Sequence, residues 1–185
     1  EHKSCYNLFM KEAIGGQPDI SVEKVSLSPL ELGVLKCAAQ GLSIEETAQV
    51  VANVNLDRGR RTRTLAPKTI KNGYRAKLIN KLDADGITGA VVNAVKLNIL
   101  DPLDIVGDTS TDAFNELSDQ QRRFLDTLVA EGSSGTGKKM GRSMDFAQKT
   151  VKNNLSIIGQ EVGAKNKPHL AMLYMAYQKR QETTT

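Results

Sequence analysis

A five-residue string occurs twice in this chain, and the two copies frame everything else. Lys149-Thr150-Val151-Lys152-Asn153 repeats Lys68-Thr69-Ile70-Lys71-Asn72 with Val for Ile as the only change. The flanks agree: Leu27-Ser28 and Leu117-Ser118 open two units, and Gln40-Gly41 and Glu131-Gly132 close their first helices. Self-similarity on this scale marks a tandem repeat. A unit of about 65 residues has room for three or four helices around a modest core.

Each copy of the string opens a helix. Pro67 suits a first helical position, where its missing N–H would have no intrahelical partner. Ile70, Tyr74, Leu78 and Leu82 then recur every four residues as one apolar stripe, and Val151, Leu155, Ile158 and Val162 form its counterpart. Lys71, Asn72 and Arg75 fall on the opposite face of the first helix, and Lys152, Asn153 and Ser156 on that of the second. From Arg58 to Lys81 the chain carries nine basic residues and no acidic one. A helix with an apolar back and a basic, amide-bearing front suits a polyanion. The whole-chain charge of +4 and pI near 9.0 are only mildly basic, so this clustering is the stronger signal.

The scaffold around these helices is also written in local signals. Ser28-Pro29-Leu30-Glu31 is a capping box, with Leu27 and Leu32 placed as a hydrophobic staple. Leu32, Leu35 and Ala39 face inward, Gly41 takes a left-handed C-terminal position, and Ser43 to Glu46 forms a second capping box. A helix–Gly–helix join followed by a basic helix has the layout of a helix-turn-helix. Thr88 is placed to cap a fourth helix bearing Val91, Val92 and Val95, which Asp101-Pro102 stops. In the second unit Ser118 with Gln121 repeats the cap, Phe124, Leu125 and Leu128 face inward, and Gly137 and Gly141 weaken the next helix. Residues 168–180 form a last helix carrying Leu170, Leu173, Tyr174 and Tyr177. That is more apolar surface than a small domain hides alone. It is expected to meet Val91, Val92 and Val95 as an internal pseudo-dimer, or another chain.

In order along the chain, Leu27-Ser28-Pro29-Leu30-Glu31, Ala39-Gln40-Gly41-Leu42-Ser43, Ala48, Pro67 to Asn72 and Lys81-Leu82 resemble the LuxR/GerE-type helix-turn-helix. The match spans roughly residues 25–100. The second unit, roughly 115–180, resembles it more weakly, best over Lys149 to Lys167. The resemblance implies an all-α fold of two small helical-bundle helix-turn-helix domains in tandem that bind double-stranded DNA and regulate transcription. It implies base reading by Lys71, Asn72 and Arg75, and by Lys152, Asn153 and Ser156. Phosphate contacts then fall to Lys68, Thr69, Lys149 and Thr150, to Arg58, Arg60, Arg61 and Arg63, and to Lys138, Lys139 and Arg142. In that family the fourth helix is where subunits meet.

Three departures stand out. The Ser that precedes the recognition-helix Pro in the family is Ala66 here, and Ala147 in the second unit, which forgoes about 1 kcal/mol of capping in each. Residues Asn53 to Arg63 are an insertion whose four arginines reach along a phosphate backbone or into a minor groove, or else form a solvated loop. One extra residue separates Asn72 from Leu82, which a bulge would absorb.

Four boundaries follow: an arm or short helix over 1–24, the first domain over 25–100, an acidic linker over 101–115, and the second domain over 116–180, with a tail over 181–185. The linker reads as a solvated spacer. Cys5 and Cys37 give no disulfide framework, and no run of about 20 apolar residues exists to span a membrane. A cytoplasmic, nucleoid-associated protein is expected, and a start at Glu1 points to processing or an upstream part.

Gly132-Ser133-Ser134-Gly135-Thr136-Gly137-Lys138-Lys139 resembles a phosphate-binding loop but has Lys139 where a hydroxyl should meet magnesium, and it follows a helix rather than a strand. His2 and His169 lie far apart, away from any metal-ligand spacing. No catalytic constellation can be built, and nothing calls for a cofactor, a metal or a small-molecule substrate. The expectation is a non-enzymatic protein. The competing class is a protein-interaction module in which one or both units dock another copy, a regulator or polymerase.

Overall fold

The computed structural model describes residues 25–56, 65–131 and 137–184. Among these the chain forms helices and turns and no strand, so the fold is all-α. The 1–24 arm lies outside the described residues. No described helix is long and apolar enough to cross a membrane.

The first half runs through α1 (Pro29–Ala39), α2 (Ile44–Leu56), α3 (Pro67–Thr69), a π-helical turn (Ile70–Tyr74), α4 (Arg75–Lys81) and α5 (Ile87–Lys96). A joining segment holds α6 (Pro102–Val106) and a 3-10 turn (Asp112–Glu116). The second half has α7 (Asp119–Glu131), α8 (Gly137–Met144), α9 (Gln148–Glu161) and α10 (Lys167–Thr184).

Both halves start and stop their helices by the same devices. Ser28 Oγ accepts from Glu31 N, and Glu31 Oε2 accepts from Ser28 N at 2.8 Å. Ser118 and Gln121 exchange the same pair of bonds, at 2.9 and 3.3 Å. Ser43 and Glu46 box the start of α2. After α4, Leu82, Asp83 and Ala84 donate to Leu78, Asn80 and Ile79. After α9, Val162, Gly163 and Ala164 donate to Ile158, Gln160 and Gly159. The turn residue in each case is left-handed, Asp83 at φ +46° and Gly163 at φ +69°.

The tie that locks first helix to third is present in both halves with its chemistry changed. Lys81 Nζ bonds Glu31 Oε2 at 2.8 Å, and Glu31 is 5% exposed. Burial pushes the Glu31 carboxyl up. The Lys81 bond, the two Ser28 bonds and the Lys81 charge outweigh it, so the net shift is down. At the matching place Gln121 Nε2 donates to Glu161 Oε2 at 2.7 Å, a bond without a cation.

Contacts between helices repeat as well. In each half the first helix packs on the second, third and fourth, and the second on the third. Between halves α5 lies across α10, while α1 meets α10 and α5 meets α7. Val91, Val92, Leu170, Leu173 and Tyr174 are buried, and Val95 and Tyr177 half-buried. Lys96 Nζ also reaches Ala130 O at 3.0 Å.

Three local expectations are corrected. Thr88 does not cap α5: Gly86 holds the cap position and Thr88 is buried inside the first turn. Asp101-Pro102 starts a helix, with Asp101 Oδ1 accepting from Leu103 N at 2.9 Å. Gly141 does more than weaken α8. A Cβ there would stand 2.4 Å from Phe146 O, and Phe146 N donates to Gly141 O at 2.8 Å.

The acidic joining segment is a packed strap rather than a solvated spacer. Pro102, Val106, Thr111 and Phe114 are buried, and α6 lies against α10. Phe114 stacks with Tyr177 at 5.4 Å and tilts against Tyr174 at 5.6 Å. Lys179 pairs with Asp101 at 2.6 Å, and Arg180 donates to Gly107 O, Thr109 O and Thr111 Oγ1.

Candidate nucleic-acid interface

The first basic helix starts without a side-chain cap at Ala66, and α9 likewise at Ala147. The two then differ by one residue. Ile70 and Leu78 are fully buried eight residues apart, Val151 and Ile158 seven apart. At about 100° per residue, seven steps return to nearly the same face and eight overshoot it. The π-helical turn, closed by Arg75 N donating to Ile70 O, takes up the extra residue and restores the stripe.

That slip re-addresses every side chain after it. Counted back from Leu78 and Ile158, Arg75 falls at the register position of Leu155 in α9, where Leu155 is buried, and Tyr74 beside it packs against the core. The guanidinium is accordingly half-buried, and its Nε makes no hydrogen bond within the protein. Burial pulls its pKa down, with the Glu45 carboxylate opposing. Arg75, expected to read bases, is therefore half-buried with the Glu45 carboxylate of α2 acting on it, whereas Lys71 and Asn72 are exposed.

Lys68, Thr69, Lys71 and Asn72 remain exposed on the outer face. Ala76, Lys77 and Asn80 are exposed further along, at the places of Ser156, Ile157 and Gln160 in α9. In the second half Lys149, Lys152, Asn153 and Ser156 are exposed and Thr150 is half-buried. Lys77, Asn80, Ile157 and Gln160 share these exposed faces although the sequence reading gave them no DNA contact. The repeat carries the signal that finds them, once the extra residue is placed before Arg75. Ile157 is 50% exposed although large and apolar.

A cleft of about 280 Å³ adjoins α9, lined by Lys152, Ser156, Gln160, Lys165, Asn166 and Lys167. Burial and then the nearby Lys152 charge pull the Lys167 ammonium down. Behind it, Lys165 N donates to His169 Nδ1 at 3.1 Å and Asn166 Oδ1 caps His169 N. Burial, then the Lys165 charge, holds the His169 imidazole below its ordinary value. The α1–α2 turn presses on this place: a Cβ on Gly41 (φ +78°) would stand 2.9 Å from Lys165 Cβ and 3.0 Å from His169 Cβ.

Arg142 is exposed on α8. Arg58, Arg60, Arg61 and Arg63 lie outside the described residues, as do the side chains of Lys138 and Lys139. Cys37 is buried in the core, and burial pushes its thiol up. Comparison of the chain with protein-family models, curated proteins and solved structures finds no match.

Proposed function

We propose that this chain binds duplex DNA in a sequence-dependent way through two helix-turn-helix units and serves as a transcription regulator. The observation that carries the reading is the pair of exposed Lys-Asn faces, Lys71-Asn72 and Lys152-Asn153, each on a helix whose apolar stripe packs on the core, with Ile70, Leu78, Val151, Leu155 and Ile158 buried and Tyr74 and Val162 half-buried. Lys donates to guanine O6 and N7, and Asn pairs with adenine N6 and N7. Lys68, Thr69, Lys149 and Lys77 border those faces and suit phosphates, which fix register without reading sequence. The ordered resemblance to LuxR/GerE-type domains supports the same reading. Selection of the purified chain against random duplex DNA tests it. Enriched sequences are expected. Binding that enriches none and vanishes at moderate salt would overturn the reading.

Ile157 favours a second reading, in which the first half binds DNA and the second docks a protein. An apolar side chain half out of water on the outer face of α9 suits a protein partner as well as a thymine methyl. Enrichment of one half-site alone, unchanged by Lys152→Ala, would favour docking.

A further inference from the structure

The contacts between halves have a specific symmetry. The fourth helices meet each other, α5 on α10, and two further pairs are reciprocal: first helix to fourth as α1 on α10, and fourth to first as α5 on α7. A head-to-tail repeat would join unlike surfaces, whereas reciprocal contacts define an isologous, two-fold interface. The chain is therefore a dimer-like particle built from one polypeptide. The self-complementary surface is used up internally, since Val91, Val92, Leu170 and Leu173 are all buried. The exposed large apolar residues among those described, Val50, Leu97 and Ile157, are scattered over α2, the end of α5 and α9.

From this we infer that one chain, without a second copy, occupies a target of two unlike half-sites in inverted orientation. The inference rests on the DNA-binding reading and adds orientation, asymmetry and stoichiometry to it. Two-fold-related helices meet a duplex across one of its own local dyads, so their half-sites run in opposite directions, whereas a translational tandem would read direct repeats. The half-sites differ because the two faces do. Beyond the shared Lys-Asn, the first presents Ala76, Lys77 and Asn80 where the second presents Ser156, Ile157 and Gln160. The joint is held on several sides: Gly41 abuts Lys165 and His169, Lys96 reaches Ala130 O, and the strap ties residues 101–116 to α10. A rigid joint fixes the spacing, near one duplex turn of roughly 10 bp or a multiple of it.

The test uses the intact chain and its enriched duplexes. Native mass spectrometry is expected to give one chain per duplex. Reversing one half-site in place is expected to weaken binding at least about tenfold, because every base contact of that half is lost. Lys77→Ile is expected to change the preference of one half-site and Ile157→Lys that of the other. A palindrome holding two chains, a direct repeat, or a lone half-site would each overturn the inference while leaving DNA binding standing. Failure to enrich any duplex would overturn both.

Discussion

Arg75 is where the chain departs most from the pattern of its own repeat. Its Nε is buried without a hydrogen bond at the register position that Leu155 holds in α9. An unpaired buried donor costs on the order of 1–3 kcal/mol, so Arg75→Leu is expected to raise stability by about 1 kcal/mol, a melting shift of about 2–4 °C. Duplex affinity should hold, whereas Lys71→Ala should weaken it by about 1–3 kcal/mol and relax the preference at one base position. Loss of affinity in Arg75→Leu equal to that in Lys71→Ala would return Arg75 to the reading face. Gly141→Ala should destabilise by about 1–3 kcal/mol in thermal melts, because the Phe146 carbonyl must move to admit a methyl. An unshifted melt would refute that packing. His169 gives a pH signature. Its folded value lies below the ordinary 6.5, so the unfolded chain takes the proton first as pH falls. The stability it supports is complete above pH 6.5 and lost progressively as pH drops through the folded value. Protonation at Nδ1 would also abolish the bond from Lys165 N. His169→Asn should flatten the stability profile as pH falls below 6.5; an equally steep profile would assign the effect elsewhere.

At the scale of elements, the caps were legible in the sequence and the register was not. Ser28–Glu31, Ser43–Glu46 and Ser118–Gln121 are bonds between residues three apart, so a short string contains all their physics. The place of Arg75 depends instead on where one surplus residue is absorbed, and the sequence names the surplus without its location. The π-helical turn puts it directly after the Lys-Asn pair, inside Ile70–Tyr74. Deleting Gly73 should therefore convert the turn to α-helix, keep Ile70 and Leu78 on one face, and leave the chain folded. Deleting Asn154 from α9 should rotate Ile158 out of the core and cost several kcal/mol, on the order of a Leu-to-Ala core truncation. Circular dichroism melts that reversed this order would contradict the register. The strap escaped sequence reading for another reason. Its acidic, Ser/Thr-rich composition resembles a linker, and the partners that fasten Phe114, Asp101 and Thr111 to the fold are the distant Tyr177, Lys179 and Arg180.

At the scale of the molecule, one core spans both halves, because α10 contacts α1, α5, α6, α7 and α9. Neither half buries its fourth helix without the other. The chain should unfold in one cooperative step, with the calorimetric and van't Hoff enthalpies equal. Two resolved transitions would show that the halves are independent. The sequence indicated two similar units and offered an internal pseudo-dimer or another chain for the last helix without deciding between them; the contact of α5 with α10 decides for the first, together with contacts between residues far apart such as Gly41 and His169. The same relation explains why Gly41 is glycine: its left-handed φ and the neighbouring half both exclude a side chain.

If the two Lys-Asn faces read duplex sequence, one titration shows it directly. The variant Lys71→Ala, Asn72→Ala, Lys152→Ala, Asn153→Ala changes four exposed side chains and should keep the helical circular dichroism of the parent. Its affinity for an enriched duplex is compared with that for a scrambled duplex at fixed salt. The parent's preference is expected to collapse to near parity while weak, salt-sensitive binding remains. A preference as large as the parent's would contradict it.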